Sequence, residues 1–192
     1  MVSALYIIAV AMAAAFFLGL LKDDKRGLAF IVTLATLAFM SWVSAGWLWA
    51  FVANAAQPVE IFTAGTQPPF AINLRMGLAE AALTLLINLT GLLSAIYLKD
   101  TLLRLGHRAM AVLIIATMAL CGIILTRDIF NLFVFFELTA IATGGLILLA
   151  DENDNARALS AGFKYLIVSQ VISILLLIGI IFAYHLTGTL NV

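Results

Sequence analysis

Long apolar runs separated by short charged or polar stretches set the pattern along this chain. A helix needs about 20 apolar residues to cross the hydrocarbon of a bilayer. On that criterion the pattern predicts six spans, at residues 3–21, 27–51, 74–98, 109–125, 129–150 and 159–186. The second and sixth runs exceed that length, which permits tilt or an interfacial end. Between residues 53 and 73 the chain is too polar and proline-rich to span. There Val59, Ile61 and Thr63 alternate with their neighbours, as do Phe70, Ile72 and Leu74, on either side of Ala-Gly-Thr-Gln-Pro-Pro. That alternation predicts a short hairpin outside the membrane, with Pro68 and Pro69 limiting the second strand to an edge or to its beginning. The acidic stretch 151–155 predicts a solvated turn, too short and irregular for a calcium loop.

Composition agrees with the pattern. The chain is 65% hydrophobic and 10% charged, with mean hydropathy +1.17, against roughly 45 to 50% apolar residues in soluble domains. The expected class is therefore all-α, a polytopic integral membrane protein forming a single membrane domain over residues 1–192. No Lys or Arg precedes Lys22, so the first run lacks the basic region of a secretory signal and reads as a retained span.

The formal charge of +0 conceals an uneven distribution. In a six-span topology Lys22, Lys25, Arg26, Lys99, Arg104, Arg108 and Arg157 fall on one side, and Arg75 and Arg127 on the other. Basic loops remain cytoplasmic, so both termini are expected outside. Trp47 and Trp49 then end the second helix at the outer interface, where aromatic side chains gather.

Candidate chemistry is sparse. Cys121 is the single cysteine and the two histidines, His107 and His185, fall on opposite sides. The chain thus offers no disulfide, iron–sulfur or zinc pattern. No phosphate loop or nucleophile motif appears. No cofactor, metal, nucleic acid or catalytic residue is expected, and any redox chemistry would belong to another chain.

What stands out is Glu137, the lone carboxylate of the apolar run 129–150. A charge at that depth costs at least roughly 2.5 to 3.5 kcal/mol on insertion and normally faces a bundle interior or water. Ala140 and Gly144 share roughly its helical face, so a neighbouring helix can pack closely there. Glu137 is either part of an ion or proton path or a buried bond between helices. Lys164, within the sixth span, either snorkels to the cytoplasmic surface or turns inward toward Glu137. Gln170 lies about 120° round the helix from Lys164, so those two form no common polar stripe. Glu80, near the outer end of the third span, is expected in an interfacial ion pair or subunit contact, with Arg75 and Asn73 close in sequence. Arg127 and Asp128 mark the outer start of the fifth helix, where an aspartate suits the helix N-terminus.

The run Thr126-Arg-Asp-Ile-Phe-Asn-Leu-Phe-Val-Phe-Phe-Glu137, with Ala161-Gly-Phe-Lys-Tyr-Leu166, Leu186-Thr-Gly-Thr-Leu-Asn191 and Gly65-Thr-Gln-Pro-Pro-Phe70, resembles a known family. It is that of the antiporter-like subunits of Mrp-type cation/proton antiporters, respiratory complex I and membrane-bound hydrogenases. D-type Mrp subunits and their counterparts in archaeal hydrogenase and sulfur-reductase complexes look nearest. The resemblance implies that Glu137 is central to a proton path and works with a lysine on a broken seventh helix, with Lys164 a contributor. Family members carry about fourteen helices, including two inverted five-helix repeats. This chain covers only the first six, so the resemblance implies an incomplete antiporter-like fold. Met76 and Gly77 stand where relatives often have an aspartate, and no role is carried over there.

The expected function is that of a membrane subunit in a multisubunit ion-translocating complex, with Glu137 as proton-path or coupling carboxylate for protons or sodium ions. The alternative is a non-conducting scaffold subunit bridging its neighbours. Expected partners are lipid and other membrane subunits, antiporter-like chains among them, because polar groups at membrane depth need partners.

Overall fold

The computed structural model describes residues 2–54, 56–62, 72–149 and 155–191. Seven α-helices occur among these residues: α1 (Leu5–Leu20), α2 (Arg26–Asn54), α3 (Leu78–Tyr97), α4 (Lys99–Leu105), α5 (His107–Leu125), α6 (Ile129–Leu149) and α7 (Asn155–Thr187). A short 3-10 turn, Asp23–Lys25, precedes α2, and a two-stranded antiparallel sheet joins β1 (Val59–Phe62) to β2 (Asn73–Met76). The all-α, multi-pass membrane architecture expected from the pattern is present. Five helices are long and apolar enough to cross a membrane, and α1 is a shorter apolar helix.

The helix packing centres on α5, which touches α1, α2, α3 and α6. Its buried positions include Met110, Ile114, Met118, Cys121 and Leu125, so they occupy most of its circumference. By contrast α1 buries one stripe, Ile7, Ala11, Ala14 and Leu18, at the three- and four-residue spacing of a helix face. Lipid tails are as apolar as leucine, so close packing of small residues, rather than escape from water, holds such helices together. A methyl group added to Gly91 would meet Thr117 at 2.9 Å, and one added to Gly122 would overlap the Phe135 ring. These glycines set the α3–α5 and α5–α6 distances.

Helix α7 is different. Its principal neighbour is α6, and its apolar side chains from Phe163 to Phe182 are largely exposed in this chain.

The predicted span 74–98 starts late. Residues Asn73–Met76 form β2 and α3 begins at Leu78, because the Glu80 carboxylate accepts the Gly77 N–H at 3.0 Å and closes the first turn there. In the hairpin, Ile61 lies opposite Leu74 and Val59 opposite Met76. Thr63, Phe70, Pro68, Pro69 and the predicted turn lie outside the described residues, as do residues 151–154 of the acidic stretch. Helix α4 falls where a basic loop was expected. It ends at Gly106, whose φ of 88° suits a residue without Cβ. Arg26 Nη1 donates to the carbonyls of Leu103 (3.3 Å) and Arg104 (2.9 Å), which ties α4 to the start of α2.

Candidate functional site

Helix α6 carries Glu137 roughly midway between Ile129 and Leu149, and no other charged residue lies in that helix. Two glycines and two leucines set its seam with α7. A methyl on Gly144 would meet Leu166 at 2.5 Å, and one on Gly162 would meet Leu148 at 2.5 Å. These reciprocal contacts fix an antiparallel register. One helical turn beyond Leu166, Gln170 reaches across and its Nε2–H donates to Glu137 Oε2 at 2.7 Å. A charge-assisted bond of that length is among the stronger side-chain hydrogen bonds.

Lys164 does not join this pair. Gly162 and Leu166 both face α6, and Lys164, two residues from each, lies about 200° round the helix from them. It is exposed, and no ion pair connects it to Glu137 among the described residues. The structure therefore brings Glu137 to Gln170 and sets Lys164 on the far side of α7. Beside the pair, Phe136, Thr139, Ala140, Tyr165, Ser169, Ile172 and Ser173 line a groove between the two helices. Ala140 belongs to it, as the shared face with Glu137 suggests.

A second polar group caps the end of the bundle where the hairpin lies. Arg127 pairs with the Glu80 carboxylate, their side chains 30% and 12% exposed. Arg127 N–H donates to the Asn73 carbonyl at 2.8 Å, so the α5–α6 link adds a bridge to β2 at Leu74 and Thr126. Asp128 Oδ1 accepts the Asn131 N–H at 2.7 Å, satisfying a donor at the start of α6. Thr126 Oγ1 accepts from Asn131 Nδ2 at 2.9 Å. The end of α7 closes on the same group, through Ile129 N–H to the Leu190 carbonyl at 2.9 Å and a bridge between Asp128 and Asn191. Glu80, Arg127 and Asp128 thus lie in one interlocked layer, about 14 Å of helix rise from Glu137.

Sequence reasoning missed a third group, inside the bundle. Asn88 is fully buried. Its Nδ2 donates to Ser44 Oγ (2.9 Å) and the Met40 carbonyl (3.3 Å), and its Oδ1 accepts from the Cys121 thiol (3.2 Å). Three helices meet on one amide. Its signal was present in the sequence, since Asn88 lies within an apolar run where an unpaired amide would be costly. The same signal marked Gln170.

His107 opens α5 and His185 lies in the last turn of α7, and no group of three or more His, Cys, Asp or Glu side chains suited to a metal occurs among the described residues.

Comparison with known proteins adds the relationship that the geometry invites. Residues 126–192 match the family model described as NADH:quinone oxidoreductase/Mrp antiporter, TM. The N-type chain of an NADH-quinone oxidoreductase from Desulforudis audaxviator is 29% identical over 186 residues, 95% of this chain and 35% of that protein. The D-type chain of a probable K(+)/H(+) antiporter from Rhizobium meliloti is 33% identical over 132 residues, 68% of this chain and 24% of that protein. Among solved structures, a chain of the membrane-bound sulfane sulfur reductase, an archaeal respiratory membrane complex, superposes with a TM-score of 0.85 at 28% identity. That superposition covers 98% of this chain and 38% of the other. The chain thus spans between 24% and 38% of the length of these relatives, and the resemblance to antiporter-like membrane subunits read from its motifs holds.

Proposed function

Taking the chain as an antiporter-like membrane protein, we propose that it serves as a subunit of a complex I-like or Mrp-type ion-translocating assembly in which Glu137 carries or couples protons, or sodium in exchange for them. One observation carries this reading. A lone carboxylate at mid-membrane is held at a helix seam by a neutral amide, with no cation paired to it among the described residues. A group whose charge is not cancelled by a fixed partner can change protonation state as ions pass.

Lys164 enters the proposal from the other side of α7, facing whatever packs there. Glu137 is half-buried and Gln170 exposed in this chain. Polar groups at membrane depth need partners or water, which supports further membrane protein covering this seam in the assembly. The bias of Lys and Arg toward the opposite face supports a topology with both termini and the Glu80–Arg127 layer outside.

The test is transport by the intact assembly in vesicles carrying Glu137→Gln, which removes the titratable group and retains its size. Loss of pumping or antiport with normal assembly is expected. Unchanged transport with normal assembly would instead support the scaffold reading, in which the Glu137–Gln170 bond only joins α6 to α7.

A further inference from the structure

We propose that Gln170 is the positioning residue of Glu137, fixing the carboxyl group across the α6–α7 seam in both of its protonation states. The inference rests on the reading of Glu137 as a proton-binding group. In the ionised state the geometry is direct, with Nε2–H donating to Oε2 at 2.7 Å. In the acid state the carboxyl gains an O–H donor, and the Gln170 amide also holds a carbonyl acceptor on the same carbon. The last torsion of glutamine is broad and roughly two-fold, so a half-turn of the amide replaces N–H donation by O–H acceptance. The proton stays on Glu137 throughout, and Gln170 exchanges only the partner it offers. A lysine ammonium at that place has donors alone and would favour one state only.

The seam makes this partner specific. Gly144 against Leu166 and Gly162 against Leu148 hold the helices too closely to slide, and Gln170 stands one turn from the nearer contact. Of the other titratable groups on α5 and α7, Tyr165 alone among the described residues borders the groove beside the pair. On α7, Lys164 is on the far face, Tyr165 lines the groove with Phe136 and Ala140, Arg157 lies near the start, and Tyr184 and His185 near the end. On α5, the Cys121 thiol donates to Asn88, and His107 and Arg108 begin the helix.

The probe is dicyclohexylcarbodiimide, which modifies the acid form of an intramembrane carboxyl, applied to native membranes containing the assembled chain. Gln170→Met retains length and removes both the donor used by the carboxylate and the acceptor used by the acid; the charge-assisted bond to the carboxylate is the stronger of the two, so the acid form gains on balance. Labelling of Glu137 at neutral pH is expected to rise severalfold, and the pH profile of transport to move with it. Gln170→His, which retains a donor and an acceptor, is expected to restore both. As a check on folding, the swapped chain Glu137→Gln with Gln170→Glu retains the bond with its ends exchanged, and should assemble and label at position 170. A labelling profile for Gln170→Met that overlays that of the parent overturns the proposal, as does failure of the swapped chain to assemble. Altered labelling in Gln170→Met together with unimpaired transport by Glu137→Gln would leave the positioning role standing and remove the transport role. The reverse pattern would remove the positioning role alone.

Discussion

Asn88 is where a single side chain does most to define the bundle. Its amide serves Ser44, the Met40 carbonyl and Cys121 from one buried position, and lipid offers no replacement for any of them. Asn88→Leu is therefore expected to destabilise the protein by about 1 to 2 kcal/mol, the upper range for interhelical side-chain bonds in membranes. A lower melting temperature of the detergent-solubilised protein would show it, and an unchanged one would mean that α2, α3 and α5 are held by packing alone. Glu137 was legible in the sequence because a charge in an apolar run has no bland location. Its partner was not. Measuring Gln170 against Lys164 compared two residues on one helix, whereas the decisive angle was toward α6, which no spacing along α7 contains.

At the scale of elements, the glycines set distances that hydrophobicity alone leaves open. Gly144→Leu is expected to push Leu166 away and carry Gln170 out of reach of Glu137, so carbodiimide labelling of Glu137 should change even though position 144 bears no chemistry. The variant would still insert, because leucine raises the apolarity of α6. Gly106→Ala tests the α4–α5 corner. At φ 88° a Cβ is strained by about 1 to 3 kcal/mol, and faster proteolysis of residues 99–107 in open membranes would report it. The long helices were readable because an uninterrupted apolar run has few other ways to satisfy its backbone in lipid. Helix α4 escaped notice, since seven residues give too little periodicity to tell a helix from a charged loop.

Across the whole molecule, the polar layer at the hairpin end connects β2, the α5–α6 link and the end of α7 through Glu80, Arg127, Asp128 and Asn191. Arg127→Ala leaves a mostly buried Glu80 carboxylate without its cation. A loss of about 1 to 3 kcal/mol is expected, between the values for exposed and buried ion pairs, and Glu80→Gln with Arg127→Ala should recover part of it in a double-mutant cycle. Orientation has its own test. Lys99→Cys in a Cys121→Ala background should react with an impermeant thiol reagent only when the cytoplasmic face is open, and reaction from outside would reverse the proposed topology.

The membrane class, the helical pattern, the carboxylate at the centre of α6 and the family resemblance were all determined by the sequence itself. Each follows from local cost, namely apolar length against bilayer thickness and a charge against hydrocarbon. The tertiary structure alone decided which side chains meet: Gln170 rather than Lys164 at Glu137, Arg127 at Glu80, and three helices at Asn88. Such meetings depend on the rotation and register of helices far apart in sequence, and here those were set by where a glycine lets a leucine or a phenylalanine lie against the neighbouring backbone.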